Sequence, residues 1–310
     1  MALILPDFML PIRANAQWDY SGMDDPVHCL DRKHFKRYAY PVQYNFSSRG
    51  YRDAEWPLSL EELRDAIWCV GDSFTMGLGS PLAHTWTSVL QQRTGRRCIN
   101  VSLDGASNNW ISRKTCSILN TIAPRDLVIH WSYWHRREAS VQQVRDCKVR
   151  RVWKDFYNGI KDPTWPSCNT FEQMQHLPAH IKQEIIEQHW IEPEITDEDL
   201  IFYNTDEQIQ FGTLVIDDDE NLKNTKLCID RTITSNRNTN IIHSFIPEFT
   251  QTDAVCSKSE SVAKLKQLVN DITEEINFVP YFDKLDLARD GHHYDLKTAE
   301  YFVQQLLVKL

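Results

Sequence analysis

The chain has 310 residues, 42% of them hydrophobic and 11% aromatic, which is enough for one large core or a core with an insertion. Its formal net charge of -9 at pH 7 argues against nucleic acid as the main partner, because phosphate binding requires a basic face. No apolar run approaches the roughly 18 residues that a membrane-spanning helix requires.

Residues 1–60 are rich in aromatic residues, proline and charge without a clear period. We predict an N-terminal arm that packs on the core of a domain spanning residues 61–310. The domain begins with alternating strands and helices in the order of parallel βαβ units. Its strands are predicted at 66–70, 98–102 and 126–134, and its helices at about 84–94 and 109–122.

The alternation stops at residue 135. Charged, helix-prone stretches and an acidic turn, "DDDEN" at 217–221, predict an insertion over about 135–235. The alternation resumes with a strand at 239–247 and helices at about 257–275 and 296–310. Together these elements predict a parallel sheet of four to five strands with helices on both faces.

Polar residues cluster where the predicted strands end. The stretches "GDS" at 71–73, "DGASNN" at 104–109 and "SYWHR" at 132–136 follow three strands, and "DGHH" at 290–293 precedes the last helix. In an open α/β sheet the active site lies beyond the carboxyl ends of the strands. We therefore expect these four stretches to form one site.

The residue types in these stretches suit hydrolysis by a serine, which needs a base, a carboxylate to orient the base, and donors for the oxyanion. Asp290 and His293 are three residues apart, which at a helical turn puts both side chains on one face. The carboxylate then accepts the Nδ1 proton and leaves Nε2 facing Ser73, while His292 points elsewhere. The alternative role for Ser73 is that of a helix cap.

The oxyanion donors expected from this arrangement are the backbone N–H groups of Ser73 and Gly105. Glycine suits the second position because the missing Cβ lets a substrate approach the backbone. We also place Asp72, Arg52 and His292 among residues that border the substrate. Asp72 is expected in addition to tie its loop by hydrogen bonds.

These blocks resemble the SGNH, or GDSL-type, hydrolases over about 66–134 and 239–310. "GDSFT" at 71–75 resembles their first block with its nucleophilic serine, and "DGHH" resembles their closing Asp-x-x-His block. Gly105 resembles the glycine of their second block. The resemblance implies a three-layer α/β/α flavodoxin-like sandwich with a parallel sheet of about five strands. It also implies an acyl-enzyme on Ser73 and no metal or organic cofactor.

The third block departs from the family pattern, which has Gly-x-Asn-Asp after the third strand with the asparagine donating to the oxyanion. This chain has "SYWH" at 132–135, so Trp134 occupies the asparagine position. An indole N–H is a donor and can replace the amide. Asn108 or Asn109 is a second candidate, and a two-donor hole is a third. Loss of one donor typically raises the barrier by about 2.7–4 kcal/mol.

Two other patterns bear on metal ions and on the redox environment. "HLPAH" at 176–180 places two histidines four apart, but Pro178 interrupts a regular helix and no third ligand is evident, so we predict no metal site. The 8 cysteines include no CxxC pair, and Cys69, Cys98 and Cys116 fall in apolar segments. We expect reduced thiols, as in cytosolic proteins.

The start of the chain and the segment at 45–53 bear on location and origin. "MALILPDFMLPIRANAQ" has no basic leader and no small-residue cleavage site, so we expect no signal peptide and a cytoplasmic location. "NFSSRGYRD" at 45–53 is similar to a segment upstream of the first block in some bacterial and phage members of the family. For a viral member the location becomes the virion or the host cytoplasm.

Two functions follow from these observations. The first is a serine esterase or deacylase, without a membrane span or a nucleic-acid partner, that acts on an acetyl or other acyl ester of a carbohydrate or another small alcohol. The second is a binding or structural protein that keeps the fold with weak or no catalysis, for example on a viral particle. Retention of Ser73, Asp290 and His293 together favours the enzyme, and Trp134 favours the second function.

Overall fold

The computed structural model divides into two units, Met1–Arg136 with Ile216–Leu310, and Arg137–Val215. The structure describes residues 8–134, 136, 138, 140–146, 148–150, 168, 170–180, 182–183, 218–235, 238–247, 267 and 276–310. Of the described residues, those between 138 and 183 belong to the second unit and the others to the first.

The strands of the described residues are β1 (Gln17–Trp18), β2 (Tyr44–Asn45), β3 (Ile67–Gly71), β4 (Cys98–Ser102), β5 (Asp126–Trp131) and β6 (Asn240–Phe245). The first four helices are α1 (Arg32–Arg37), α2 (Leu60–Asp65), α3 (Ser73–Met76) and α4 (Trp86–Thr94). The others are α5 (Asn108–Thr121), α6 (Phe171–Gln175), α7 (Asp218–Ser235) and α8 (Leu296–Leu307). No described helix is both long and apolar enough to cross a membrane.

The main sheet is parallel and has the strand order β4-β3-β5-β6. Ile67 lies opposite Cys98 on one side and Asp126 on the other, so β3 is a central strand. A parallel bridge between His243 and Phe278 continues the sheet beyond β6, in the position of a fifth strand. The residues of β3, β4 and β5 are all buried, as expected for strands covered on both faces.

Helices cover both faces of this sheet. The chain moves from β3 to β4 in one direction and from β4 past β3 to β5 in the other, so right-handed crossovers place α4 and α5 on opposite faces. Helix α8 packs beside α4, and α7 packs beside α5. The predicted three-layer α/β/α architecture is therefore confirmed, and Ser73 follows the carboxyl end of a central strand.

The predicted elements lie close to the observed ones. The strand predicted at 126–134 ends at Trp131, and the helix predicted at 84–94 begins at Trp86, after a 3₁₀ turn at Leu82–His84. Residue 267 apart, the helix predicted at 257–275 lies outside the described residues. Most of the predicted insertion lies outside them as well.

Helix α7 replaces the acidic turn predicted at 217–221, and that prediction was wrong. The helix lies in the sheet-bearing unit, although the sequence analysis assigned it to the insertion. Its buried face carries Asn221, Thr225 and Thr232 beside Cys228 and Ile229. A face so rich in polar residues gives no apolar period from which a helix can be predicted.

The described part of the arm, residues 8–60, packs on the sheet-bearing domain. Its strands β1 and β2 form an antiparallel pair. Val42, Tyr44 and Phe46 share a buried cluster with Met76 and Leu78, which follow the predicted nucleophile in the chain. The arm thus contacts the segment that carries Ser73.

Candidate active site

A tight turn between β3 and α3 places Ser73 just after the carboxyl end of β3, where the residue is buried. Asp72 caps α3, its Oδ1 accepting the Phe74 N–H at 3.0 Å, so Ser73 is the first residue of the helix and the capping role belongs to Asp72. A Cβ on Gly71 would lie 2.1 Å from Oγ1 of Thr75 and 3.0 Å from the carbonyl oxygen of His130. The turn therefore requires glycine before Asp72.

The three predicted catalytic residues lie within hydrogen-bond distance of one another. Nε2 of His293 is 2.8 Å from Oγ of Ser73, and Nδ1 is 2.5 Å from Oδ2 of Asp290. The other Asp290 oxygen, Oδ1, accepts the backbone N–H of His292 at 2.9 Å and that of His293 at 3.0 Å. Residues 290–293 form a turn outside any helix, and these bonds fix the ring against the carboxylate.

The charges around His293 suit a general base. Burial raises the pKa of Asp290, but the charge and hydrogen bond of His293, with the two backbone donors, outweigh burial and lower it to about 2. Asp290 is thus a carboxylate throughout the neutral range. Burial, followed by the charges of His293 and Lys284, lowers the pKa of His292 to about 3, so His292 is neutral.

His292 and Tyr133 form a second contact beside the triad. Nε2 of His292 lies 3.0 Å from the hydroxyl of Tyr133, and both rings pack against Phe74. His292 is partly exposed, whereas His293 is buried. His292 therefore lies next to His293 without a hydrogen bond to Ser73, and it remains a candidate substrate contact.

Asp72 is completely buried, and its carboxylate accepts hydrogen bonds from other residues of the protein. Oδ2 accepts the Ser132 hydroxyl at 2.6 Å and Nη1 of Arg136 at 3.1 Å. Burial raises the pKa of Asp72, and the charge of Arg136 opposes that effect. The expectation that Asp72 ties its loop fits these contacts, while its placement as a substrate contact was wrong because no part of it is accessible.

Arg52 is also unavailable to a substrate, so its predicted role was wrong. It is 1% exposed, and its terminal nitrogens donate to backbone carbonyl oxygens. These belong to Gln43, Met76, Gly77 and Ser80. The guanidinium also stacks 4.3 Å from the ring centre of Tyr44. Arg52 therefore braces the loop after α3.

Two predicted oxyanion donors have free N–H groups. Within the described part of the chain, the backbone N–H groups of Ser73 and Gly105 have no hydrogen-bond acceptor. Gly105 is partly exposed and has a φ of +78°, the left-handed region that favours glycine. The two groups thus retain the hydrogens that an oxyanion hole requires.

The asparagines after β4 bind other parts of the protein. Oδ1 of Asn108 accepts the Ser132 N–H at 2.9 Å, and Nδ2 lies 3.3 Å from the hydroxyl of Thr225. Asn109 exchanges two hydrogen bonds with Asn224 on α7. The prediction of Asn108 as an oxyanion donor was wrong, because its buried amide joins the end of β5 to α7.

Trp134 is 2% exposed, which excludes an open platform for stacking a sugar. Its Nε1 is buried and has no acceptor among the residues that the structure describes. A buried donor without an acceptor costs about 1–3 kcal/mol. The indole is therefore packed in the protein with its donor unused.

Sequence reasoning missed Arg136, which pairs with Asp72 in the turn before Ser73 and stacks on Tyr133 at 4.6 Å. Its position in the polar stretch after β5 was the signal from which it could have been predicted.

Among the described residues, no three His, Cys, Asp or Glu side chains could hold a metal ion. The described cysteines are free thiols.

Comparison with known proteins gives similar folds at low identity. No protein-family model and no curated protein match the sequence. Among solved structures, TesA has a TM-score of 0.42 and 12% identity, covering 79% of this chain and 98% of its own. A family 3 carbohydrate esterase from Clostridium thermocellum has a TM-score of 0.36 and 13% identity, with coverages of 79% and 94%. A GDSL-like lipase from Bacteroides thetaiotaomicron has a TM-score of 0.35 and 9% identity, with coverages of 82% and 90%. Identities and TM-scores this low do not identify a family for this chain.

Proposed function

We propose that this protein is a serine esterase or deacylase of the SGNH type, with Ser73 as nucleophile, His293 as base and Asp290 as its partner. One observation carries the proposal: the His293 ring bridges the other two side chains, at 2.8 Å to Ser73 and 2.5 Å to Asp290. A histidine held this way by a carboxylate is suited to accept the serine proton.

The proposed reaction proceeds in two steps. Oγ of Ser73 attacks the acyl carbon while its proton moves to Nε2 of His293, and Asp290 stabilises the imidazolium. The tetrahedral oxyanion accepts hydrogen bonds from the backbone N–H groups of Ser73 and Gly105 and from the indole of Trp134. The tetrahedral intermediate then collapses, and the alcohol leaves with the proton from His293. Water then attacks the acyl carbon while one of its protons moves to His293. The bond between that carbon and Oγ of Ser73 breaks, the acid leaves, and Oγ takes the proton back from His293.

We propose a small alcohol or a carbohydrate as the alcohol half of the ester. The support is the aromatic composition of the arm and the partly exposed His292 beside Tyr133, which offers a polar ring next to the reacting atoms. The free thiols of the described residues support a reducing, cytoplasmic environment. No metal or organic cofactor takes part in the proposed steps.

A fluorophosphonate probe tests the nucleophile without knowledge of the substrate. We expect stoichiometric labelling, mapped by peptide mass spectrometry to Ser73, and no labelling of Ser73→Ala or of heat-unfolded protein. Ser73→Ala should also lose turnover of short p-nitrophenyl esters while keeping its melting temperature. Labelling of another residue, or esterase activity retained in Ser73→Ala, contradicts the assignment.

A binding protein with weak catalysis is the second candidate, and the altered third block of the sequence favours it. Trp134 stands where the related enzymes carry an asparagine, and Asn108 is engaged with Ser132 and Thr225. This function predicts labelling of Ser73 by the probe but no measurable turnover across a panel of acetylated sugars and short-chain esters. Turnover of any of them well above the Ser73→Ala background supports the enzyme.

A further inference from the structure

The residue before the catalytic carboxylate is paired with the N-terminal arm. Arg289 donates from Nε to Oδ1 of Asp24 at 2.8 Å and from Nη2 to Oδ2 at 2.6 Å, across 265 residues of chain. Asp24 is completely buried, and the Arg289 side chain is 13% exposed. A two-point contact of this kind fixes the orientation of the guanidinium as well as its distance.

The same carboxylate reaches the loop that follows the nucleophile. Oδ2 of Asp24 accepts the Tyr44 hydroxyl at 2.6 Å, and the Tyr44 oxygen accepts the Gly79 N–H at 2.8 Å. The Gly79 carbonyl in turn accepts the Arg289 N–H at 2.8 Å. Asp24, Tyr44, Gly79 and Arg289 therefore form a closed ring of hydrogen bonds, which we call the arm clasp.

The arm clasp lies directly against Asp290. Gly79 has a φ of +76°, and a Cβ there would stand 3.1 Å from Oδ1 of Asp290 and 3.0 Å from Cβ of Ala288. The arm also contacts the backbone on either side of Arg289. The Leu30 N–H donates to the Asp290 carbonyl at 3.1 Å, and Nε2 of His34 lies 2.8 Å from the Ala288 carbonyl. The carboxylate is thus held through its chain neighbours and through Gly79.

We propose that Asp24 and Arg289 are positioning residues of the active site, which set the place of Asp290 against His293 and make the arm part of the catalytic framework. The inference rests on the proposed function. None of the clasp side chains contacts Ser73 or His293 in the structure, so their effect on the reaction passes through Asp290. An interaction that acts only through a second residue has no effect once that residue is removed.

Asp24→Asn tests the inference because it keeps the shape of the side chain and removes its charge. We expect kcat to fall roughly 10- to 100-fold with KM within about threefold, since small displacements of reacting groups have effects of this size. We also expect the acid limb of the kcat/KM profile to move to lower pH, because a displaced Asp290 stabilises protonated His293 less. Loss of stability alone does not move that limb.

A double-mutant cycle identifies the route of the effect. In an Asp290→Asn background, Asp24→Asn should lower kcat no further, whereas independent effects would multiply. Asp25→Asn is the matched control, since Asp25 is the next residue, its side chain is 28% exposed, and it should keep kcat and the pH profile. Losses of kcat that multiply in the double mutant overturn the inference, and so does an Asp24→Asn enzyme with a normal kcat and pH profile.

If Asp24→Asn does not fold, Tyr44→Phe replaces it as the test. This variant removes one hydroxyl from the ring of hydrogen bonds, and it should show the same changes in kcat and pH profile at smaller size.

A readout independent of turnover separates this inference from the proposed function. The proton between Nδ1 of His293 and Asp290 gives a downfield ¹H NMR signal when the two atoms are close. We expect that signal in the wild type and in Asp25→Asn, and its loss or displacement in Asp24→Asn. An unchanged signal in Asp24→Asn overturns the inference even in an active enzyme. A wild type that shows the signal but neither labels nor turns over esters contradicts the proposed function alone.

Discussion

Nε2 of His293 lies 2.8 Å from Oγ of Ser73, while Nε2 of the adjacent His292 lies 3.0 Å from the hydroxyl of Tyr133. Two neighbouring rings of the same kind therefore have different partners. His293 is buried between a hydroxyl and a carboxylate, and His292 is partly exposed at the side of the site. The pair provides an internal comparison for the role of each ring.

Replacing each histidine by alanine should separate base from neighbour. We expect His293→Ala to lower kcat by roughly 10⁴-fold or more, as loss of a general base in a triad does. His292→Ala should act mainly on KM and by less than about tenfold, because its ring has no contact with Ser73. Steady-state kinetics on one ester measures both, and the reverse ranking would move the base to His292.

Asp290→Asn should change the pH profile as well as the rate. The pKa of Asp290 is about 2, so the residue carries a negative charge that stabilises protonated His293. Without that charge the imidazolium formed in the reaction is less stable, and we expect the acid limb of kcat/KM to move to lower pH. The rate should fall by roughly 10⁴-fold, so a sensitive fluorogenic ester is required. An acid limb that stays in place shows that the carboxylate is not coupled to the base.

Trp134→Phe tests the indole as an oxyanion donor. The change keeps most of the ring volume and removes an N–H that has no acceptor among the described residues. We expect kcat to fall by roughly 10²- to 10³-fold with little change in KM, and the melting temperature to stay the same or rise. Trp110→Phe is the matched control, because Nε1 of Trp110 is also buried without an acceptor, on α5. A loss below about threefold in Trp134→Phe leaves the hole to Ser73 and Gly105.

Two buried histidines should make the fold sensitive to acid. Burial lowers the pKa of His130 to about 3 and that of His243 to about 4, whereas an unfolded histidine has a pKa of about 6.5. The unfolded state therefore binds these protons first, and these two groups lower the free energy of unfolding as the pH drops from about 6.5 towards 4, by about 1.4 kcal/mol per pH unit for each group.

Urea unfolding at several pH values measures this dependence. His243→Gln should make the free energy of unfolding depend less steeply on pH between about pH 6 and 4. The decrease corresponds to up to one proton fewer taken up on unfolding. His28→Gln, whose histidine side chain is 71% exposed, should leave the slope unchanged. An equal slope in all three proteins contradicts the assignment of the acid sensitivity to His243.

Much of the core could be predicted from the sequence because its signals are local. The strand at 98–102 is a short apolar run between a glycine-ended helix and a polar turn, and it lies where predicted. The Asp290–His293 pair was predictable for the same reason, since three residues of chain fix both the spacing and the turn. Helix α7 could not be predicted in this way, because its buried face is largely polar. Polar side chains of this helix form hydrogen bonds with side chains of α5.

The roles of individual side chains were less predictable than the elements. Arg52, Asp72 and Asn108 all lie near the site, yet their partners are backbone carbonyls, Arg136 and Ser132, which no spacing rule brings together. The contact between Asp24 and Arg289 joins opposite ends of the chain. Such contacts depend on the assembled structure, and the sequence carries no periodic signal for them.

The 220 residues that separate Ser73 from His293 have a consequence for the order of folding. Contacts among β3, β4 and β5 close short loops and form early, whereas closing a long loop costs more conformational entropy and slows its formation. The nucleophile turn can thus be complete while its base and the Asp24–Arg289 contact are still missing. On refolding, the far-UV circular dichroism signal should return before esterase activity, and a chain still emerging from the ribosome would carry Ser73 without the means to activate it.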